Sequence, residues 1–287
     1  MNFIIQLIIF LILVFLYLHV RFQLKINNDL EVYEIDYVSN ENLQTVCDIR
    51  DPVLFTTPAH VSHNFINFLT KYQASLDVLV YDIVDFYDLK NEPPVSLPIT
   101  AAQSLLKSDT SSKYYSLNNY EFVEESELID EFRKNDDFFK PSMTCYTKYD
   151  YIMGARNAVT PFCYHVDYRR FFCVVQGQIC VKMAPWKYEK YLNPIHNFKD
   201  FEFYSRMNVW ETQPEYEVDY DKVKFLEVFV DEGRTICIPP YWWYSIKFTQ
   251  TESSEKETVV CSYSYKTVMN VIAITPKIYS YIVQKTF

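Results

Sequence analysis

Glycine is almost missing from this chain: 3 residues in 287, at Gly154, Gly177 and Gly233. Neither GxxxxGK nor GxGxxG occurs, so phosphate-loop chemistry has no foothold. Each of the three glycines is instead expected to mark a turn that needs a positive φ. Long Lys/Arg runs are also absent, and 27 basic side chains stand against 37 acidic ones, a net charge of -10. The basic footprint that reads phosphates is therefore lacking, which argues against nucleic acid as a partner. No Asn-x-Ser/Thr sequon exists, and the seven cysteines (47, 145, 163, 173, 180, 237 and 261) are odd in number without close pairing. Both absences fit a reducing, cytosolic face. Internal repeats and low-complexity linkers are absent too. Histidine is limited to His19, His60, His63, His165 and His196, so any imidazole chemistry must come from this small set.

What the chain does have is apolar bulk. Apolar residues make up 49% of it and aromatics 18%, enough for the core of one large domain and against whole-chain disorder. Residues 4–18 read IIQLIIFLILVFLYL, broken only by Gln6 and followed by His19, Arg21 and Lys25. Extended through Val20, this run can cross a hydrocarbon core of ~30 Å. With no basic segment ahead of it and no small-x-small site behind it, an uncleaved single-pass anchor is expected rather than a signal peptide. Arg21 and Lys25 behind the span favour a cytosolic C-terminal body by the positive-inside bias. The expected organisation is an anchor at 1–22, a juxtamembrane segment at 23–47 and a folded domain at 48–287.

Alternation predicts strands at 30–38 and 77–86, with another extended piece beginning at 52–55. Helices are expected at 61–73, 98–106 and 125–133, the last within a charged, loop-rich stretch at 107–140. From Cys145 onward the texture becomes short β-branched and aromatic runs, at 144–153, 171–176, 179–183, 225–230, 235–238, 244–248 and 258–265. Many short strands split by turn residues predict a β-sandwich or barrel, with its core at about 144–265. The insertion at 196–224 is expected to cover one mouth of that barrel. Residues 268–283 read as a helix that packs on the barrel or mediates dimerisation.

One pair carries chemical interest. His165-Val166-Asp167 sets an imidazole and a carboxylate two residues apart, on one face if extended. That arrangement supplies two ligands of a facial triad for non-haem Fe(II). The same pair can equally hydrogen-bond internally, or to Arg169 and Arg170, in a polar barrel mouth. His60 and His63 read as helix-capping or surface residues, His196 as a loop residue, and His19 lies at the membrane boundary.

Around this pair the sequence resembles a known family. Val159-Thr160-Pro161, HVD, FFCVVQGQ, Ala184-Pro185-Trp186 and then VDEGRTICIPPYWW (230–243) are similar to the JmjC and cupin-like Fe(II)/2-oxoglutarate oxygenases, most of all to their asparaginyl-hydroxylase branch. The likeness spans about residues 48–265. It implies a double-stranded β-helix (jelly-roll, cupin type) with flanking helices, mainly β, behind the transmembrane helix. It implies His165 and Asp167 as metal ligands, with the distal ligand after the Trp-Trp pair. That position holds Tyr244, and no His follows His196. The co-substrate Lys position falls on Ile179, while Lys182 is expected on the opposite strand face. Counting forward from Thr160-Pro161 puts the ligand slots on Cys163 and His165, so a bulge is needed to seat His165 and Asp167 there.

Three readings follow. The losses at Tyr244 and Ile179 favour a membrane-anchored, non-catalytic relative that needs no cofactor, serves as a binding or structural module and meets a protein partner. The alternative is a divergent dioxygenase that hydroxylates protein side chains. It would use Fe(II) on His165 and Asp167, and 2-oxoglutarate held by Thr160, Arg169, Arg170 or Lys182; in a middle case, a degenerate site of His165, Asp167 and Cys163 or Tyr244 binds Fe or Zn weakly. A third possibility, a protein that shapes or anchors a membrane assembly, rests on the N-terminal span alone.

Overall fold

The computed structural model describes residues 2–58, 61, 76–88, 93–197, 202–249 and 257–286. Its strands are β1 (Tyr33–Ile35), β2 (Val53–Thr56), β3 (Asp77–Asp82), β4 (Val95–Pro98), β5 (Tyr114–Ser116), β6 (Thr144–Gly154), β7 (Cys163–His165) and β8 (Arg169–Gln176). They continue as β9 (Gln178–Ala184), β10 (Pro194–Asn197), β11 (Glu202–Ser205), β12 (Leu226–Asp231), β13 (Arg234–Ile238), β14 (Trp243–Thr249) and β15 (Thr258–Thr267). Two sheets result: nine strands in the order β1-β2-β13-β8-β15-β6-β5-β3-β4, and six in the order β10-β11-β7-β14-β9-β12. Pairing is antiparallel except β1 on β2. The chain is thus mainly β with flanking helices and one N-terminal apolar helix.

Residue chemistry explains the sheets. Strand β8, RRFFCVVQ, is buried along its whole length because one side faces the interior between the sheets and the other faces helices. Those helices, Tyr120–Glu125, Leu128–Lys134 and Asp136–Phe139, pack Phe132 and Phe139 onto Tyr149, Phe171 and Tyr263. Strand β15 divides cleanly by parity: Tyr263 and Tyr265 meet the helices, while Ser262 and Ser264 line the interior. The β8–β9 turn relies on Gly177 at φ +80°, and the β12–β13 turn on Gly233 at φ +79°. Gly154 has no positive φ. It is small because a Cβ there would lie 2.0 Å from the Phe248 ring.

Three expectations are corrected. The strand foreseen at 77–86 stops at Asp82, whose Oδ1 accepts from the Val84 amide at 2.9 Å and caps the helix Ile83–Tyr87. The segment at 107–140 is less loop-rich than expected: besides the helix foreseen at 125–133, seen at Leu128–Lys134, it carries the two other helices above and β5. Among its described residues the insertion lines the interior cavity with Tyr204 but lies mostly elsewhere. Its β10–β11 hairpin extends the six-stranded sheet beside β7, and the remainder lies over that sheet's outer face on Phe162, Tyr164 and Trp243. His60, His63 and nearly all of the helix expected at 61–73 lie outside the described residues.

The N-terminal helix, Asn2–Gln23, is long and apolar enough to cross a membrane, and from Phe3 to Leu18 its side chains are largely exposed. Nothing slack follows it. Asn27 Nδ2 donates to Asp51 Oδ2 at 2.6 Å, and Asn28 accepts from the Lys187 amide at 2.9 Å and Nζ at 2.7 Å. The 23–47 segment then joins the body through β1 and the helix Asn40–Cys47, whose Leu43 and Cys47 are buried.

Candidate functional site

Strand β7 is three residues long, and its alternation decides what faces inward. Tyr164 points outward, where its ring meets Phe203 at 4.7 Å and Trp243 at 4.8 Å between centroids. Cys163 and His165 take the opposite face, and Cys163 is the register partner of Tyr244 on β14. Asp167 falls in the short gap between β7 and β8. The backbone beside it is held by Tyr241, whose amide donates to the His165 carbonyl at 2.9 Å. Tyr241 sits at φ 68°, a conformation that costs a bulky residue about 1–3 kcal/mol and persists because the surrounding core dictates it.

His165 is completely buried. Its Nε2 lies 3.0 Å from the Ile238 carbonyl, which can only accept, so Nε2 carries the proton and Nδ1 holds the lone pair. Nδ1 has no hydrogen-bond partner among the described residues and faces Asp167 Oδ2 at 4.0 Å. Burial, reinforced by Arg170, pulls the imidazole down to about 3, so it is neutral near pH 7 and forms no ion pair with Asp167.

Asp167 already has its counter-charges. Arg170 donates to Oδ2 from Nε at 3.1 Å and from Nη2 at 2.6 Å, and Lys266 Nζ lies 2.6 Å from Oδ1. Burial alone would push this carboxyl up, but Lys266 and Arg170 outweigh it and hold Asp167 well below the usual carboxylate range. The remaining arm of Arg170, Nη1, donates to the Tyr244 hydroxyl at 2.9 Å. One guanidinium therefore spans the carboxylate and the phenol.

The other expected residues are distributed differently. Thr160 lines the interior cavity, where its hydroxyl accepts from the Ile246 amide at 2.9 Å. Arg169 turns away from Asp167 and binds Asp48 and Gln44. Lys182 stands on the outer sheet face, 2.9 Å from Glu227 and 3.0 Å from the Val209 carbonyl, with its ammonium over the Trp210 ring. The interior face of β9 is apolar: Ile179, Val181 and Met183 belong to the main core. Lys182 is thus not brought to His165 and Asp167. Lys266, which the sequence reading passed over, is. Its signal was the alternation Ser262, Ser264, Lys266 on one face of β15.

The cavity bounded by Thr160, Cys163, Arg170, Tyr244, Ser262 and Ser264 measures about 30 Å³, room for roughly two waters. Among the described residues no cluster of three or more His, Cys, Asp or Glu side chains is arranged to hold a metal ion. The donor set at His165 and Asp167 does not fit a divalent metal as it stands. Both carboxylate oxygens bind cations, and the neighbouring Tyr244 phenol is engaged by one of them. A metal would have to displace Arg170 and Lys266 from Asp167 and then tolerate two positive neighbours. No protein-family model matches this chain, and a search of curated proteins finds no match.

Proposed function

We propose that this is a membrane-anchored protein with a JmjC/cupin-like double-stranded β-helix whose metal position has become a salt-bridged core. In that reading the barrel serves as a binding or structural module and has lost ordinary oxygenase chemistry. Support for the fold comes from strand order. Strands β6-β15-β8-β13 lie consecutively in one sheet and β7-β14-β9-β12 in the other, with β6 to β9 alternating between sheets in the jelly-roll manner. The observation that carries the functional reading is the Arg170 guanidinium shared between Asp167 and Tyr244. A buried cation fulfils there the charge-balancing task that a metal would otherwise perform.

A second reading, a divergent Fe(II)/2-oxoglutarate-dependent protein hydroxylase, draws on the unpartnered Nδ1 of His165 facing Asp167. Elemental analysis of the full chain, purified in detergent without chelator or His-tag, separates the two. The module reading expects no stoichiometric iron or zinc and no saturable 2-oxoglutarate binding. One equivalent of metal that vanishes in the His165→Ala, Asp167→Ala variant would replace it with the enzyme reading. The cytosolic orientation belongs to the same proposal: Arg21 and Lys25 follow the span, and none of the cysteines is in a disulfide. Reaction of Cys145 with a membrane-impermeant thiol reagent only after the membrane is opened on its cytosolic side would agree with it. Labelling from the outer side would reverse it.

A further inference from the structure

All 37 acidic side chains of this chain lie between Asp29 and Glu257. Residues 1–28 carry Arg21 and Lys25, residues 258–287 carry Lys266, Lys277 and Lys285, and neither stretch has an Asp or Glu. In an acidic protein these two ends are the parts least repelled by a lipid headgroup layer. The fold brings them together. The helix Val268–Ala273 packs against the N-terminal helix, and the Val268 amide donates to the Met143 carbonyl at 3.2 Å.

The surface around that junction is apolar and open. Met143 is 69% exposed and Tyr279 68%, and Val268, Ile272, Ile282 and Val283 are exposed as well. Residues 279, 282 and 283 follow the i, i+3, i+4 spacing of one stripe on the helix Thr275–Thr286, and Ile272 is exposed on the preceding helix Val268–Ala273. The opposite side of this arm packs on the body through Ile274 and Ile278. Beside that packing lies a cleft of about 530 Å³, lined by Leu18, His19 and Phe22 of the anchor and by Met143, Thr267 and Met269.

We propose that the C-terminal arm, residues 268–283, lies in the plane of the membrane interface beside the anchor, with Ile272, Tyr279 and Ile282 inserted among the lipids. The occupant is a lipid surface because the body begins where the span ends. With Asn27 and Asn28 stitched to Asp51 and Lys187, the arm has no slack that would lift it from the headgroups. An apolar helical face seats ~5–10 Å into that boundary, and an aromatic such as Tyr279 suits the interface. This inference rests on the anchor reading above.

The test uses the full chain in phosphatidylcholine vesicles, with Cys145→Ser removing the exposed thiol and a nitroxide at Tyr279→Cys, Ile272→Cys, Leu11→Cys or Val218→Cys. Collisions with oxygen, which concentrates in hydrocarbon, are compared with collisions with a water-soluble nickel chelate. The arm in lipid gives an oxygen-to-chelate ratio at Tyr279→Cys and Ile272→Cys severalfold above that at Val218→Cys, which stands in water. A ratio equal to that at Val218→Cys overturns the proposal. So does low access to both reagents with spin–spin broadening that dilution by unlabelled chain removes, because a second copy then covers the arm. Leu11→Cys keeps the two readings apart: lipid there and water at Tyr279→Cys sinks the arm alone, whereas water at Leu11→Cys sinks the anchor with it.

Discussion

The Tyr244 hydroxyl accepts from Arg170 Nη1 at 2.9 Å, tying strand β14 of one sheet to strand β8 of the other across the interior. Because Arg170 also holds Asp167, the loss of this one side chain would strand a buried carboxylate with Lys266 alone and leave the phenol without that donor. Arg170→Leu is expected to cost about 3–5 kcal/mol, the range for breaking a buried pair. Arg170→Lys should lose much of the same energy, since one ammonium cannot span two partners as the planar fork does. Tyr244→Phe leaves the Arg170–Asp167 contact in place and should cost only about 1 kcal/mol. Denaturant unfolding followed by tryptophan fluorescence measures all three. An Arg170→Leu chain as stable as the parent would mean that the cluster is incidental.

His165 predicts a pH dependence of definite sign. Its folded-state pKa of about 3 lies below the unfolded value near 6.5. Between these limits the unfolded chain binds a proton that the folded chain refuses, so this residue's contribution is complete above pH 6.5 and is lost as pH falls toward 3. The slope is about 1.4 kcal/mol per pH unit. Asp167 also loses stability on acidification, but only at lower pH, because its depressed folded value starts from an unfolded one near 3.9. The difference in stability between the parent and His165→Gln should therefore change between pH 6 and pH 4. A difference that stays flat over that window would contradict a buried, neutral imidazole.

Gly154 offers a steric test. A methyl there meets Phe248 ring atoms at 2.0 to 2.4 Å, and an aromatic ring in a packed core cannot retreat cheaply. Gly154→Ala is expected to cost roughly 1–3 kcal/mol by overpacking. The double variant Gly154→Ala, Phe248→Leu should show a favourable coupling, because the second change removes the obstacle. Strictly additive losses in a double-mutant cycle would rule out this contact as the cause.

Thiol chemistry should be equally selective. Cys145 is exposed, and Cys47, Cys163, Cys173, Cys180, Cys237 and Cys261 are buried. One fast-reacting thiol per folded chain is expected with a colorimetric disulfide reagent, rising to seven in denaturant. Cys145→Ser should abolish the fast phase.

Legibility differed from place to place for physical reasons. Strands β6, β8, β9 and β12 to β15 could be read because β-branched and aromatic runs there are interrupted by turn residues. The opposite faces of Ile179 and Lys182 followed from parity alone, and the structure has Ile179 in the core and Lys182 beside Glu227. The end of β3 was readable in principle, since Asp82 is a helix-capping residue, but the apolar run beyond it masked the stop. Strand β7 was missed because three residues buried on both faces show no alternation. The partnership of Lys266 with Asp167 depends on β15 lying beside β8, a long-range pairing that local pattern does not encode.

The tight seam after the anchor has a mechanical consequence. Gln23 is buried, Asn27 and Asn28 are bonded to the body and the helix packs on Val268–Ala273, so the helix is coupled to the two sheets. In a bilayer such a helix tilts to match hydrocarbon thickness, and here any tilt becomes a rotation of the whole body, magnified with distance from the pivot. Bilayer thickness would then set the bearing of the sheets relative to the membrane plane, much as the angle of a mast is set by the deck in which it is stepped.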